Sequence, residues 1–330
     1  MKILLGSHHF FPSTGGIETV SNLLAREFVE LGHEVRLITQ TAGGGDFSFP
    51  VVRRPGPMEL FRQVRWCDVF LQNNISLRTL WPLLFLRRPL CIAHQTWISN
   101  ADGAVGWQQR LKRFVLRFAK SLAISHAIAE QLPSSSVRVG NPYNDQIFRN
   151  HQTARAKELI FVGRLVSDKG ADLLLEALAL LDPRPRLTIA GDGPERARLE
   201  KQATDLKLQS QIDFVGNQTS EQLAKILNEH QILVAPSRWR EPFGIVALEG
   251  IACGCVAVGS AEGGLAEAMG PCGISFPNGD ARALADALAR LLGDPAECDR
   301  LRRNAGAHLA RFTPRHVAKI YLESMEGARR

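Results

Sequence analysis

Residues 2–40, KILLGSHHFFPSTGGIETVSNLLAREFVELGHEVRLITQ, decide how the rest of the 330-residue chain is read. KILLGS is a short apolar run of strand length. GGIETVSNLLAREFVELG then sets Ile17, Val20, Leu23, Leu24, Phe28 and Leu31 on one helical face, closed by Gly32. HEVRLITQ is a second apolar run. A strand, a glycine-bearing loop, an amphipathic helix and another strand open a doubly wound parallel sheet.

The pattern continues outward. DVFLQ (68–72), PLCIAH (89–94), SLAIS (121–125) and VRVG (137–140) are further strand candidates, and a second series starts at ELIFVGR (158–164). There GADLLLEALALL, GPERARLEKQATDL and SEQLAKILNEH read as helices between the strands RLTIAGDG, IDFVGN and QILVAPS. The apolar runs are continuous rather than alternating, as in parallel strands covered on both faces. NPYNDQIFRNHQTARAKE (141–158) is polar and aperiodic and fits a linker. The expectation is an α/β chain of two domains, 1–150 and 151–312, with 313–330 as a final amphipathic helix behind a proline break.

Composition bounds the function classes. The longest apolar runs fall short of the roughly 18–20 residues of a membrane span. The opening MKILLGSHHFFP is too short and polar for a signal peptide, so a cytoplasmic location is expected. Six cysteines (67, 91, 253, 255, 272 and 298) contain no C-x-x-C pair and no histidine at zinc spacing, and read as reduced packing residues rather than metal ligands. Residues 1–150 hold 17 Lys+Arg against 10 Asp+Glu, while 151–330 hold 23 of each, so the net charge of +7 sits in the first half. That asymmetry points to an anionic partner. Within it, GWQQRLKRFVLRFAKSLA (106–123) interleaves Arg110, Arg113, Arg117 and Lys120 with Leu111, Phe114, Val115 and Phe118. Such a stretch is either a sheet-covering helix with a solvated cationic face or a peripheral contact with an anionic membrane's inner face. No stacking platform or nucleic-acid motif accompanies the charge, so nucleic acid is not expected as a partner.

Four stretches carry chemistry. Gly15-Gly16 stands just before the first helix, either as a flexible turn or as an anion seat of bare amides at a helix N-terminus. It is not G-x-G-x-x-G, which argues against a nicotinamide dehydrogenase. Arg164 and Lys169 in FVGRLVSDKG follow a strand and precede a helix; they are either ordinary surface cations or a seat for a diphosphate, the arginine by its fork and the lysine as a point charge. Gly-Asp-Gly-Pro at 191–194 reads as a tight turn, with no catalytic part for Asp192. In SRWREPFGIVALEGIACG (237–254), Glu241 precedes a proline suited to a helix start and Glu249 lies inside the apolar run. A helix beginning at Pro242 would set the two acids about 80° apart around its axis. They are either a capping acid and a surface acid or a pair that accepts sugar hydroxyls; the apolar neighbours Leu248, Gly250 and Ile251 weigh against a solvent face.

Taken together and in this order, GGIE, FVGRLVSDKG, AGDGP and EPFGIVALE resemble the retaining glycosyltransferases of family 4 over nearly the whole chain. The resemblance implies the GT-B fold, two Rossmann-like domains whose parallel sheets face a central cleft, with the last helix crossing back to the first domain. It implies a nucleotide diphosphate sugar donor, UDP- or GDP-linked foremost, and an acceptor hydroxyl on a glycan or lipid-linked intermediate, with no cofactor and no metal. Glu249 would bond the nucleotide ribose, and Glu241 would contact the donor sugar. The amides of Phe243, Gly244, Ile245 and Val246 would hold sugar and phosphate. Arg164 and Lys169 would neutralise the diphosphate, and Gly15 and Gly16 would complete its seat. His94, at a strand end in CIAHQTW, matches the family's histidine beside the donor sugar, and FVGNQTS (214–220) would lie near the base. NPYN at 141–144 departs from the family's usual Asn-Gly, the first domain is short, and His8 and His9 have no assigned role beyond loop packing or acceptor contact. The alternative is a sugar-nucleotide-binding protein or epimerase of the same architecture without transfer activity.

Overall fold

The computed structural model describes residues 1–13, 15–98 and 106–329, the side chain of Gln108 apart. The chain divides into two compact units, 1–142 with 313–330, and 143–312. The division falls at Pro142–Tyr143 rather than at residue 150. The reason is local: Tyr143 and Phe148 are buried, and the Tyr143 amide donates to the Phe312 carbonyl at 3.3 Å, all within the second unit.

The first unit is built on seven strands, β1 (Lys2–Ser7), β2 (Glu34–Thr39), β3 (Val51–Arg53), β4 (Val69–Asn73), β5 (Leu90–His94), β6 (Lys120–Ala123) and β7 (Ser136–Arg138). They lie in the order β3-β2-β1-β4-β5-β6-β7, every pairing parallel. Strands β4 and β5 are buried at every residue, which is why their sequences do not alternate. One face is covered by the helix Gly16–Glu30 and by the C-terminal helix Pro314–Arg329, whose Tyr321 ring stands 6.5 Å from Phe28. On the other face, Leu60, Val64, Leu80 and Leu116 pack on Leu4, Ile38, Phe70 and Ile92. The stretch 106–123 is not one helix: it runs as a helix over Trp107–Val115, a 3-10 turn over Leu116–Phe118, and then β6.

The second unit holds β8 (Lys157–Val162), β9 (Leu187–Ala190), β10 (Ile212–Gly216), β11 (His230–Ala235), β12 (Val256–Ser260) and β13 (Gly273–Phe276). Their order is β10-β9-β8-β11-β12-β13, again all parallel. Leu159, Phe161, Leu173, Ile189, Ile232 and Leu288 stand at less than 3 % exposure in its core. In each sheet the strand order reverses once, between β1 and β4 and between β8 and β11. Loops leaving neighbouring parallel strands in opposite directions open a crevice at their carboxyl ends, so these two points are where the fold accepts ligands.

Candidate active site

At the β8/β11 reversal the loops 163–170 and 236–244 are pressed together. Gly170 has φ +68°, and a Cβ there would lie 2.0 Å from the Pro236 carbonyl oxygen, so only glycine permits the approach. The Arg238 and Trp239 amides donate to the Asp168 carbonyl at 2.9 and 3.2 Å. This stitching brings Lys169 and Glu241 into contact: the Lys169 ammonium donates to Glu241 Oε1. Ser237 Oγ donates to the same oxygen at 2.8 Å, and the Ser237 carbonyl is held by Ser260 Oγ at 2.7 Å and Asn278 Nδ2 at 3.2 Å. Glu241 is also fixed through its backbone, by a bridge to Gly263 and a 2.6 Å hydrogen bond from the Gly264 amide to its carbonyl. Its side chain is 14 % exposed and that of Lys169 is 36 % exposed, so the pair is anchored at the acid and open at the cation. With one N–H on Glu241, Lys169 keeps two donors for a ligand.

The helix after this loop starts later than its proline suggests. It spans Ile245–Ala252, with Gly244 as its cap at φ +96°. Pro242, Phe243 and Gly244 form the turn into it, so Glu241 lies outside the helix and the 80° relation to Glu249 does not apply. The ring of Phe243 is buried 5.5 Å from Phe312 and anchors the turn. The first helical amides, those of Ile245 and Val246, have no intrahelical partner by geometry and point out of the N-terminus. No acid occupies this first turn, so the positive end of the helix is not neutralised from within. Glu249 lies in the second turn between buried Leu248 and Gly250, and desolvation pushes its carboxyl up to about 7. Among the described residues no hydrogen bond engages that carboxylate.

Arg164 is exposed in the same strand-end loop and makes no side-chain hydrogen bond among the described residues. Its backbone is set by the neighbouring loop: the Leu165 amide donates to the Asp192 carbonyl at 2.9 Å, and a Cβ on Gly191 would lie 1.9 Å from the Gly163 oxygen. The Gly-Asp-Gly turn is thus a spacer that lets two loops touch, and Asp192 turns back on the Gly193 amide at 2.8 Å. In 214–220, Thr219 forms a capping box with Gln222 for the helix Ser220–Asn228.

The first unit carries a different head. Gly15, with extended backbone, caps the helix Gly16–Glu30, and both glycines are exposed. That helix mouth holds its own acid: Glu18 is buried, accepts from Ser13 Oγ at 3.0 Å, and stands beside Gly15. His94 ends β5, buried, with Nε2 3.3 Å from Ser121 Oγ, and desolvation lowers its ring to about 4, so the imidazole is neutral. Nearby strand ends hold a buried polar chain in which Asn73 donates to Ser21 and Ser21 to Ser7, at 2.8 and 3.0 Å. His8 and His9 meet edge to face at 4.7 Å, and partial burial with the adjacent His9 and Arg78 keeps His8 below the usual histidine range.

Sequence reasoning missed Ser237, Ser260, Asn278 and the Gly263-Gly264 pair. The glycines could have been found, because GG after an apolar strand is the same signal that marked residues 15 and 16. A serine on a carboxylate four residues away has no such signature. Among the described residues no group of three or more His, Cys, Asp or Glu is placed to hold a metal ion, and no helix is long and apolar enough to cross a membrane.

Comparison with known proteins follows the same lines. Residues 144–308 match the family model described as glycosyl transferases group 1. A D-inositol 3-phosphate glycosyltransferase of Corynebacterium urealyticum is 33 % identical over 351 residues, covering 91 % of this chain and 82 % of that protein. A glycogen synthase of Mycobacterium tuberculosis is 36 % identical over 182 residues, and there the match covers 52 % of this chain but only 44 % of the relative's length. Among solved structures, Anabaena Alr3699/HepE in complex with UDP and glucose superposes with a TM-score of 0.82 at 19 % identity, covering 99 % of this chain and all of that one. At that identity the likeness speaks for the fold, which is the two-sheet α/β architecture of GT-B glycosyltransferases.

Proposed function

The chain belongs to the glycosyl transferases group 1 family, and from that membership we propose that it moves a sugar from a nucleotide diphosphate sugar to an acceptor hydroxyl with retention of configuration. The observation that carries the reading is the Lys169–Glu241–Ser237 cluster at the β8/β11 reversal, beside an unneutralised helix N-terminus. Those groups suit a sugar diphosphate. Lys169, Arg164 and the Phe243–Val246 amides take the phosphate charge without a metal, and Glu241 accepts hydrogen bonds from the sugar hydroxyls. Glu249 accepts from the ribose diol, and binding to the ionised carboxylate draws its raised pKa back down. For the first unit, the same proposal makes neutral His94 and the exposed Gly15 and Gly16 amides ligand-binding groups at the ends of its own strands.

In the reaction, the bond from anomeric carbon to phosphate oxygen breaks and its electron pair goes to the diphosphate. The acceptor oxygen bonds the anomeric carbon from the same face, and its proton passes to the departing phosphate. Charge grows on the diphosphate as the bond breaks, so fixed cations and amides there stabilise the transition state more than the ground state. The proposed donors are UDP- or GDP-sugars, and the acceptor a hydroxyl of a lipid-linked or polysaccharide intermediate. A thermal-shift screen against UDP, GDP, ADP and their sugar conjugates tests the donor site. A saturable shift with one nucleotide class, erased in Arg164→Ala and Glu249→Ala, is expected. No shift with any of them, from folded protein, would refute it. The anomeric coupling constant of the product decides retention.

A further inference from the structure

The chain's excess charge and most of its exposed apolar side chains fall in one interval of the first unit. Residues 57–120 contain ten Lys+Arg and three Asp+Glu, a difference of +7 that equals the net charge of the entire chain. Of nine large hydrophobic residues exposed among those described, seven fall in the same interval, leaving only Leu180 and Val215 in the second unit. They occur in two groups, Met58 with Leu84 and Phe85, and Trp107 with Leu111, Phe114 and Phe118. Both groups are carried by segments whose buried residues, Leu60, Leu80 and Leu116, pack in one cluster against one face of the sheet. The two groups therefore lie on the outer side of the same helical layer.

The helix Trp107–Val115 shows the arrangement most clearly. At 100° per residue, Trp107, Leu111 and Phe114 fall within about 60° of each other, and the ring of Phe118 meets that of Phe114 at 5.4 Å. Buried Leu116 faces the other way. An amphipathic helix normally turns its apolar stripe to the core; this one turns it to solvent, with Trp107 71 % and Phe118 72 % exposed. Arg110, Arg113 and Arg117 run along one side of the stripe, all exposed, and no ion pair among the described residues engages them. Arg62, Arg65 and Arg87 are exposed on the segments that carry the other group.

We propose that this face of the first unit seats on an anionic lipid surface, with the Trp107–Phe118 stripe entering the headgroup layer and the flanking arginines paired to lipid phosphates. A bilayer surface offers both halves of the match at once: an apolar layer a few ångströms deep, and negative charge above it. Tryptophan at the exposed end of the stripe suits that boundary, being apolar in body with one polar N–H. A nucleic acid would use the charge but leave Met58, Leu84 and Leu111 in water. The inference is independent of the donor chemistry, and the two can fail separately.

The test is flotation of the full chain with vesicles of phosphatidylcholine alone and of phosphatidylcholine with phosphatidylglycerol, without nucleotide. The chain is expected to float with the anionic vesicles only. Reversing three arginines (Arg110→Glu, Arg113→Glu, Arg117→Glu) should weaken partition about a hundredfold. Removing the stripe (Trp107→Ser, Phe114→Ser, Phe118→Ser) should weaken it about tenfold or more. All the altered side chains are exposed, and an unchanged thermal midpoint and nucleotide-induced shift would confirm that each variant is folded. Failure of the parent chain to float with anionic vesicles would overturn the proposal. So would equal binding by the stripe-less variant, or displacement from vesicles by duplex RNA that binds both proteins equally, which would make the face a site for anionic polymers.

Discussion

Of the helices that begin at a glycine behind a parallel strand, two treat their N-termini in opposite ways. The helix Gly16–Glu30 neutralises itself: Glu18 sits in its first turn, buried and bonded to Ser13. The helix Ile245–Ala252 has no first-turn acid, and Glu241, in the loop before it, is instead bound by Lys169 and Ser237. The first end is closed by its own sequence, whereas the second leaves its dipole and a lysine facing outward. The two helix mouths thus differ in a few side chains: the first carries its own acid, and the second leaves its first amides without one.

Three experiments can break or sharpen this contrast. The largest effect is expected on turnover: Lys169→Ala and Glu241→Gln should each lower kcat/KM by about a hundredfold or more, the scale of losing one preorganised group at a developing charge. Glu18→Gln should change it by less than about tenfold, and steady-state kinetics with the donor found by the thermal-shift screen reads both. A Glu18 effect as large as that of Glu241 would put the two helix ends on an equal footing.

Backbone substitutions come next. Gly170→Ala should destabilise the protein by about 2–4 kcal/mol, because the residue is left-handed and its Cβ meets a backbone oxygen. Gly15→Ala should cost less than about 1 kcal/mol, since its φ of −178° suits any residue and the nearest atom, at 2.7 Å, is the end of the Glu18 side chain. Denaturant midpoints measure both.

The smallest effect is a pair of opposed pH slopes. The fold favours protonated Glu249, so that contribution is complete below about 4.5 and is lost as pH rises to about 7. It favours neutral His94, so that contribution is complete above 6.5 and is lost as pH falls to about 4. Between these limits the two slopes oppose each other, each worth at most about 3 kcal/mol. His94→Gln should therefore leave stability falling from pH 4.5 to 7, and Glu249→Gln should leave it rising over much the same range. Thermal midpoints across that range would show either slope, and parallel profiles for the two variants would rule the assignment out.

Much of this was legible in the sequence, for identifiable reasons. Continuous apolar runs such as ELIFVGR and QILVAPS announce strands covered on both faces, and Gly15-Gly16 and Glu241–Glu249 mark loops at strand ends. What escaped depended on contacts distant in sequence. Strand β3 is only Val51–Arg53, too short to show a pattern, and the linker's Tyr143 and Phe148 are single apolar residues in a polar stretch that belong to the second unit's core. The helix at Glu241 was placed too early because proline permits a helix start without requiring one, and the left-handed Gly244 sets the real one. Whether Phe114 and Phe118 face core or solvent cannot be read from periodicity, which gives the stripe but not its direction.

The division of the chain has a consequence for the order in which the protein is made. The second unit is continuous, from 143 to 312, whereas the first is interrupted and regains the helix Pro314–Arg329 only at the end. On a ribosome adding about 5–20 residues per second, residues 1–142 emerge first yet wait on the order of ten seconds or more for the helix that covers Phe28 and strands β4 to β6. The half synthesised second can be finished first. Until that helix emerges, the nascent first half exposes the apolar surface that Tyr321 and Met325 will bury, and it is in that interval that the chain most needs protection from its neighbours.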